Sequence, residues 1–280
     1  MVKKRYRTMY ISDIHLGALG CKANLLLNFL KEHEAEKLYL VGDIVDGWRI
    51  KSKFYWPQEH TNVLRKFLGL SRKGVQIIWI TGNHDEFLRS FSKYNLSFGN
   101  ILITDEAEHV TADGKRLWVV HGDMFDGIIR NAKWLSHLGD NLYNFLIWIN
   151  THFNSVRKSM GLKYWSLSAF LKSKSKQAVK FIAEYEKALS TECKQKKMDG
   201  VVCGHIHCPE IRKMNGITYY NTGDWVESCT AIVEHFDGRM ELIKWAVIGH
   251  DNFTNGQLTE EIEVEILELL KEEISKLENK

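Results

Sequence analysis

The stretch Thr8-Met9-Tyr10-Ile11-Ser12-Asp13-Ile14-His15 is the part of the chain from which the rest can be interpreted. It indicates an apolar strand that runs into a carboxylate and an imidazole, Asp13 and His15. Side chains two residues apart on an extended backbone point to the same side. The pair can therefore begin a metal site, although an Asp-x-His triplet also arises by chance in solvated loops. Matching ligands elsewhere in the chain decide between these two interpretations.

Five further polar clusters each follow an apolar run, where a strand is predicted to end. The runs with their clusters are LYLVGD (38–43), IIWITGNHD (77–85), LWVVHGD (117–123), VVCGHIH (201–207) and TYYNTGD (218–224). Open α/β sheets bind their ligands beyond the carboxyl ends of the strands. A glycine beside a ligand lets the backbone turn sharply and come close to a bound ion or phosphate. The clusters are therefore expected to meet at one edge of a sheet.

Short β-branched runs alternate with helix-period segments, which predicts a layered α/β fold. Helices are predicted over Asn24–Glu36 and Gln58–Arg72, and the short turns late in the chain, such as Asp237-Gly238, predict antiparallel pairing there. The predicted strands are Arg7–Ser12, Leu38–Val41, Val75–Ile80, Ile101–Thr104, Arg116–Val120, Gly200–Cys203, Thr218–Asn221, Thr230–His235 and Met240–Trp245.

The strand pattern stops between Asp126 and Met198, and a helical cap over about 127–197 is predicted as an insertion in a main domain of residues 1–250. The cap is rich in aromatic residues, and Lys172, Lys176 and Lys180 form a basic stripe at helical spacing. Packing alone can explain the aromatics, and solvation alone can explain the lysines. Residues 251–280 predict an acidic amphipathic helix that either docks on the domain or pairs with a second copy in a homodimer.

Composition fits a globular protein, with 44% hydrophobic and 26% charged residues and a net charge of +3. The charge is uneven, because residues 151–197 hold eleven Lys/Arg against three Glu, whereas residues 259–280 hold eight Glu against three Lys. The basic segment points to an anionic partner. It carries no nucleic-acid recognition motif, so nucleic acid is not expected as a partner.

Five scattered cysteines predict reduced thiols in preference to disulfides or zinc ligands. The apolar run after the basic residues at the start of the chain is broken by Asp13 and His15, so no signal peptide is expected. No apolar stretch approaches the roughly 20 residues of a spanning helix. A cytoplasmic location is therefore predicted, with peripheral contact at the inner face of the cytoplasmic membrane as an open alternative.

The ordered blocks D-x-H, G-D, G-N-H-D, H-G-D and G-H-x-H over residues 13–207 resemble the calcineurin-like metallophosphoesterases. That resemblance implies an αββα sandwich of two mixed sheets flanked by helices. It also implies two divalent metal ions, with Mn²⁺ expected and Fe²⁺ or Zn²⁺ also compatible with mixed N/O ligands. Asp13, His15, Asp43 and His207 would hold the first metal, and Asp43, Asn83, His121 and His205 would hold the second.

The resemblance further implies attack on phosphorus by a metal-bound water. His84 would then face the leaving-group oxygen as a general acid. Asp85 would orient its imidazole, or would cap the helix that follows. Asp123 and Asp224 are expected either to support the ligands or to form turns.

Among these enzymes, the helical cap and the Gly42–Trp48 segment are similar to the UDP-2,3-diacylglucosamine pyrophosphatases of lipid A biosynthesis. This similarity implies hydrolysis of a lipid-linked nucleotide diphosphate to UMP and a lipid monophosphate. The alternatives are a phosphoesterase for soluble nucleotides or phosphoproteins, and a non-catalytic scaffold with the same fold. Those pyrophosphatases carry G-N-R-D, where this chain has His84. The residues expected to contact substrate are Asp46, Trp48, Asp126, Ser166, Ser168, Lys172 and Lys176.

Overall fold

The computed structural model describes residues 3–92, 97–126 and 176–245, and twelve strands in this part of the chain form two mixed sheets. The strands are β1 (Lys4–Ile11), β2 (His33–Val41), β3 (Gln76–Ile80), β4 (Ser97–Phe98), β5 (Ile101–Thr104), β6 (Glu106–Val110), β7 (Arg116–Val120), β8 (Gly200–Cys203), β9 (Glu210–Met214), β10 (Ile217–Asn221), β11 (Thr230–Glu234) and β12 (Met240–Lys244). One sheet has the order β12-β11-β1-β2-β3-β5-β4, and the other has the order β6-β7-β8-β10-β9.

Helices cover the outer face of each sheet. The helices are α1 (Ala23–Glu32), α2 (Gly47–Ser52), α3 (Gln58–Arg72), α4 (Arg89–Ser92) and α5 (Lys176–Gln195). Phe29 of α1 and Phe67 of α3 are buried in the core against the first sheet. Tyr185 and Leu189 of α5 are buried against the second sheet. The predicted αββα sandwich of two mixed sheets is therefore confirmed.

Strand residues alternate between two buried layers, as the two-residue period of a strand requires. In β1, Met9 and Ile11 belong to the core under the helices, whereas Tyr10 belongs to the core between the sheets. The Tyr10 ring stacks on Tyr39 of β2, with ring centroids 5.0 Å apart. Both faces of the central strands are therefore covered, which explains why their sequences are apolar almost without interruption.

Strand direction determines where the polar clusters come together. β1, β2 and β3 run parallel in the first sheet, and β7, β8 and β10 run parallel in the second. The carboxyl ends of these strands thus lie at one edge of each sheet. The loops that follow them are the five ligand-bearing blocks and the Asn221–Asp224 cluster.

A buried ionic network connects the two sheets away from that edge. The Glu234 carboxylate of β11 lies 2.7 Å from His109 Nε2 of β6 and accepts a hydrogen bond from Arg7 Nη1 at 2.6 Å. Burial opposes ionisation of Glu234, but the hydrogen bonds from His109 and neighbouring groups outweigh it and lower its pKa to about 2. The charge is therefore compensated by partners from two other strands, β1 and β6.

The predicted helix over Asn24–Glu36 is wrong at its end, because α1 stops at Glu32 and β2 begins at His33. His33 has extended backbone angles, and its ring stacks on Phe29 with centroids 4.3 Å apart. Residues 33–37 pair with β1, beginning with Lys4 opposite His33. Long-range strand pairing has overridden the local helical preference of the Glu-Ala-Glu-Lys sequence.

The prediction of antiparallel pairing is confirmed for β11 and β12, which form a hairpin at Asp237-Gly238. Gly238 takes the left-handed angle φ 85° that this turn needs. For β10 the prediction holds on one side only, because β10 pairs antiparallel with β9 but in parallel with β8. The sequence did not predict β9, nor did it predict β4, β6, α2 or α4.

Part of the predicted cap falls within the described chain. Residues 176–195 form α5, which packs on the second sheet. Residues 127–175 and the predicted C-terminal helix lie outside the described residues, so the cap boundaries, the domain division and the homodimer stay predictions. None of the helices in residues 3–92, 97–126 and 176–245 is long and apolar enough to cross a membrane. All five cysteines are free thiols, as predicted.

Candidate metal centre

The ligand-bearing loops have an unusual backbone. Five of the seven predicted ligands adopt positive φ angles, a conformation that side-chain-bearing residues rarely take. They are Asp13 (51°), His15 (53°), Asp43 (55°), His205 (70°) and His207 (52°). The loops are bonded to one another, since His15 N donates to Asp43 O at 2.9 Å and Gly204 N donates to His121 O at 3.2 Å. Such strain persists where the surrounding structure holds it, and it is concentrated at functional sites.

Glycines make room for the side chains of this centre. A Cβ at Gly42, which has φ 79°, would collide with the His121 imidazole. A Cβ at Gly82 would collide with the Asp43 carboxylate. The G-D and G-N-H-D blocks therefore need glycine at these two positions, because a neighbouring side chain lies too close to the backbone for a Cβ to fit.

One cluster of candidate ligands consists of Asp13, His15 and His207, whose ligand atoms all lie within 4.8 Å of one another. Asp13 Oδ1 is 3.2 Å from His207 Nε2 and 3.9 Å from His15 Nε2. The other oxygen, Asp13 Oδ2, accepts a hydrogen bond from the His205 backbone at 3.0 Å and another from Ser12 Oγ. Asp13 Oδ1 is therefore the oxygen that remains for an ion.

A second cluster consists of Asp43, His121 and His205, under the same limit of 4.8 Å. Asp43 Oδ2 is 3.4 Å from His121 Nε2 and 3.9 Å from His15 Nε2, so one carboxylate oxygen faces a histidine from each cluster. Asp43 Oδ1 is held by the backbone N–H of His84 at 2.9 Å. This placement is the one that a carboxylate shared between two cations requires.

The donor atoms fit divalent metals. His121 Nδ1 donates to the Val41 carbonyl at 2.9 Å, which leaves Nε2 as the ring nitrogen directed at Asp43 Oδ2. His121 Nε2, Asp13 Oδ1 and Asn83 Oδ1 are buried and have no hydrogen-bond partner. Buried polar atoms without partners are costly, and cations bound in the two clusters would satisfy them. Within the described residues no cysteine belongs to any such group.

The carboxylates and imidazoles of the centre shift one another's pKa values. Burial opposes the charge on Asp43, but His121, His15 and His84 together hold its pKa well below the usual value. Burial likewise opposes protonation of His121, yet Asp43 holds its pKa well above the usual value. The negative charges of the centre are therefore available to cations at neutral pH.

His84 lies at the rim of the centre and is held on two sides. Its Nδ1 is 2.9 Å from Asp46 Oδ1, and its Nε2 is 3.9 Å from Asp43 Oδ2. The Trp48 ring packs against it, with centroids 4.3 Å apart. Its side chain is 23% exposed, so the imidazole remains accessible from solvent.

The predicted role of Asp85 in orienting His84 is wrong. The Asp85 carboxylate is buried and accepts hydrogen bonds from Gly82 N at 2.6 Å, Ile44 N at 3.0 Å and Trp79 Nε1 at 3.1 Å. Its side chain makes no capping hydrogen bond to the short helix that follows either. Asp85 instead fixes the two ligand loops to each other. The carboxylate beside the His84 imidazole belongs to Asp46.

Asp46 was predicted to contact substrate, but it is buried among the histidines of the centre. Its Oδ2 lies 3.3 Å from His15 Nδ1, and its Oδ1 accepts a hydrogen bond from Arg49 N at the start of α2. Burial opposes its ionisation, but the contacts with His15 and His84 hold its pKa far below the usual value. Asp46 thus orients two imidazoles and caps a helix at the same time.

The remaining predicted residues fall into three groups. Asp126 lies 2.8 Å from His205 Nε2, beside the second cluster. Asp123 accepts a hydrogen bond from Arg89 and so links two segments that are distant in sequence. Asp224 accepts from the backbone of residues 226–228, which stabilises a turn, and its Oδ2 lies 4.0 Å from His207 Nδ1. Ser166, Ser168, Lys172 and the side chain of Lys176 lie outside the described residues and stay predictions as substrate contacts.

Two supporting residues escaped the sequence analysis. The buried Tyr185 hydroxyl of α5 donates to the carbonyls of His121 and Gly204, at 3.3 and 3.5 Å. Thr222 Oγ1 lies 2.6 Å from Ser12 Oγ and donates to Cys203 O at 3.1 Å. Thr222 follows a strand in one of the polar clusters, which was a usable signal. No local signal marks Tyr185, because its role depends on the packing of a distant helix.

Comparison with known proteins agrees with this geometry. The family model described as calcineurin-like phosphoesterase matches residues 6–209. The fold and the carboxylate–imidazole centre accordingly define a metal-dependent hydrolase of phosphoesters. The chain belongs to the calcineurin-like phosphoesterase family.

Individual relatives carry more specific names. A UDP-2,3-diacylglucosamine hydrolase of Vibrio atlanticus (strain LGP32) is 24% identical over 238 residues, covering 81% of this chain and 93% of that protein. The enzyme of the same name from Aliivibrio fischeri (strain MJ11) is 32% identical over 121 residues, 41% of this chain and 47% of that protein. A DNA polymerase II small subunit of Methanothermobacter thermautotrophicus is 28% identical over 165 residues, 47% of this chain and 33% of that protein.

Proposed function

We propose that the protein is a dinuclear metal-dependent hydrolase that cleaves the diphosphate of UDP-2,3-diacylglucosamine, or of a closely related lipid-linked nucleotide. The products would be UMP and a lipid monophosphate. The observation that carries the dinuclear centre is the position of Asp43, whose carboxylate faces histidines of both clusters. The choice of substrate is supported by the Vibrio atlanticus relative, which aligns over 81% of this chain.

Asp13, His15, Asp43 and His207 would hold one ion, and Asp43, Asn83, His121 and His205 would hold the other. Two bound dications supply charge neutralisation at the phosphate and activation of water. The ligands are nitrogens and oxygens, which suit Mn²⁺, Fe²⁺ or Zn²⁺, and we propose Mn²⁺ as the native ion. Elemental analysis of protein expressed without added metal tests that choice.

His84 would protonate the leaving group. In hydrolysis a water oxygen bonds to phosphorus, the bridging P–O bond breaks, and the departing oxygen takes up a proton. The His84 imidazole stands at the edge of the centre with Nε2 on the side of Asp43. Asp46 at Nδ1 orients the imidazole, and the Trp48 ring restricts its rotation. A positioned and accessible imidazole of this kind meets the geometric requirement for a general acid.

The test is release of UMP from UDP-2,3-diacylglucosamine by the purified full chain in the presence of Mn²⁺. We expect UMP from the wild-type protein and none from Asp43→Asn, which removes charge from both proposed metal sites. A bis-aryl phosphate serves as a second substrate with no lipid or nucleoside part. Cleavage of the bis-aryl phosphate without UMP release would refute the proposed substrate and favour a soluble phosphoester. Cleavage of neither would favour the non-catalytic scaffold.

A further inference from the structure

Exposed apolar side chains of the described chain are concentrated around the metal centre. Seven of the twelve large hydrophobic residues that are exposed lie in the segments that follow the ligand blocks. Phe54 and Leu19 are the most open, at 75% and 73% exposure. Large apolar groups gathered on one surface, in contrast to single scattered ones, indicate an interaction site. Besides these two residues, the group contains Trp48, Tyr55, Phe87, Phe91 and Met124.

Contacts between the segments place three of them side by side. A Cβ at Gly17, two residues before Leu19, would touch Ile50 of α2. A Cβ at Gly47, the first residue of α2, would be 3.1 Å from the Phe87 ring, and Gly47 N donates to the His84 carbonyl at 2.9 Å. The segment around Leu19, helix α2 with the residues after it, and the segment around Phe87 thus adjoin one another beside His84.

Positive charge accompanies the apolar residues. The sequence Gly47–Gln58 contains Arg49, Lys51 and Lys53 and no acidic residue. Lys51 and Lys53 are exposed, and neither takes part in any salt bridge formed by the described residues. The acidic residue of the neighbouring segment, Glu86, accepts a hydrogen bond from the Trp48 indole at 3.2 Å. The charge of this surface is therefore complementary to an anionic partner.

We propose that this docking rim, formed by Leu19, Phe54, Tyr55, Phe87, Lys51 and Lys53, binds the surface of an anionic phospholipid bilayer. Aromatic side chains beside lysines are suited to the bilayer interface, where the rings enter the acyl boundary and the ammonium groups meet lipid phosphates. Phe54 projects outward with 75% of its surface exposed, which suits insertion between lipids.

Docking by this rim would turn the metal centre toward the lipid surface, because the rim borders His84. A diphosphate at the level of the lipid head groups could then reach the centre without leaving the membrane. This access to substrate depends on the proposed function, in which the substrate is lipid-linked. The docking itself does not depend on it, because vesicle binding is measured without any substrate.

The opposite edge of the sheets supplies matched controls. Phe236 lies just after β11, beside the amino end of β1, and is 52% exposed. Lys73 lies at the amino end of β3 and is also exposed. Both residues resemble members of the docking rim in type and exposure but lie far from the metal centre.

The experiment is co-sedimentation of the full chain with phosphatidylcholine vesicles, with and without phosphatidylglycerol. We expect binding to the anionic vesicles that weakens with added salt. Phe54→Ala should lower the partition coefficient roughly fivefold to tenfold, because it removes one inserted ring. Lys51→Glu with Lys53→Glu should lower it at least about tenfold and abolish the preference for anionic lipid. Phe236→Ala and Lys73→Glu should bind as the wild type does.

All four variants should keep wild-type thermal midpoints and wild-type cleavage of a bis-aryl phosphate, which separates docking from folding and catalysis. Equal binding to neutral and anionic vesicles, or full binding by both rim variants, would overturn the proposal. So would a wild-type dimer that Phe54→Ala dissociates in the absence of vesicles, since the rim would then bind a second copy. Failure of UMP release would leave the vesicle result intact.

Discussion

At the scale of single residues, the centre depends on pairs in which a carboxylate fixes an imidazole. Asp46 contacts both His15, a candidate ligand, and His84, a candidate acid. The two histidine rings are themselves packed edge to face, with centroids 4.6 Å apart. Metal binding and proton donation are thus served by neighbouring imidazoles with one shared carboxylate.

Replacement of His84 by alanine should separate these two roles. We expect His84→Ala to lower kcat roughly a hundredfold or more, since general acids contribute at least that much. Its metal content should match the wild type, because His84 is not among the proposed ligands. Steady-state kinetics together with elemental analysis of the same sample provides the measurement. Parallel loss of metal and turnover would rule out the acid role. His235→Ala, near the opposite edge, is the matched control and should change neither quantity.

Asp46 is a positioning residue, and its effect should depend on His84. Asp46→Asn retains the shape and the helix cap but weakens the hold on the His84 imidazole. We expect a smaller loss of kcat than in His84→Ala, and little further loss when the two substitutions are combined. Groups that act as a unit give such non-additive effects. Additive losses in the double mutant would show that Asp46 acts through His15 alone.

At the scale of secondary structure, strand pairing decided several elements that local patterns did not. The central strands were predicted because both of their faces are buried and their sequences are apolar. β6 and β9 are edge strands whose sequences, EAEHV and EIRKM, mix charged and apolar residues, so the local pattern was weak. The same limit applied at the end of α1, where pairing with β1 fixed His33 as strand.

The sequence predicted the candidate metal ligands more accurately than the residues that orient them. The seven candidate ligands follow predicted strands, and parallel strands bring their carboxyl ends together, so these residues could be placed near one another from their order alone. The residue that pairs with His84 could not be identified from the sequence. Asp46 follows the G-D block and Asp85 ends the G-N-H-D block, so each carboxylate was an equally good candidate. Only the folded loops show that Asp85 faces the backbone of Gly82 and Ile44.

The network between β1, β6 and β11 makes a prediction about acid stability. The pKa of Glu234 is lowered from 4.5 to about 2 in the folded protein. A lowered carboxyl pKa stabilises the fold above the unfolded value, and this contribution is lost as the pH falls from about 4.5 toward 2. Glu234→Gln should therefore cost on the order of 2 kcal/mol at pH 7 and progressively less below pH 4.5.

Denaturant unfolding of the wild type and of Glu234→Gln across this pH range gives the difference directly. Glu108→Gln is the control variant. The Glu108 carboxylate also pairs with an arginine, Arg116, but it is exposed. We expect it to have almost no effect, as surface ion pairs contribute little. A cost for Glu234→Gln that is independent of pH would mean that packing, and not charge, determines the effect.

At the scale of the whole molecule, the centre lies at the seam of the two sheets. Asp13, His15, Asp43 and Asn83 follow strands of the first sheet, whereas His121, His205 and His207 follow strands of the second. Asp13 and Asp43 each face histidines from the opposite sheet. An ion bound here would connect the two halves of the sandwich.

Metal removal should therefore destabilise the entire fold. A ligand that binds only the folded state adds RT ln(1 + [L]/Kd), which is about 4 kcal/mol at a thousandfold excess over Kd. We expect a chelator to lower the thermal midpoint of the wild type by several degrees and to have a much smaller effect on Asp43→Asn. Calorimetry of both proteins with and without Mn²⁺ and EDTA tests this expectation. Identical midpoints for metal-loaded and chelated wild type would contradict it.

The left-handed backbone at Asp13, His15, Asp43, His205 and His207 has a consequence for how this sequence can evolve. Each such residue costs about 1 kcal/mol or more relative to a relaxed conformation, and glycine would remove much of that strain. A lineage released from hydrolysis would gain stability by drifting to glycine at these positions. In this chain all five positions combine the strained backbone with carboxylate or imidazole side chains, so the strain is retained together with the candidate metal ligands.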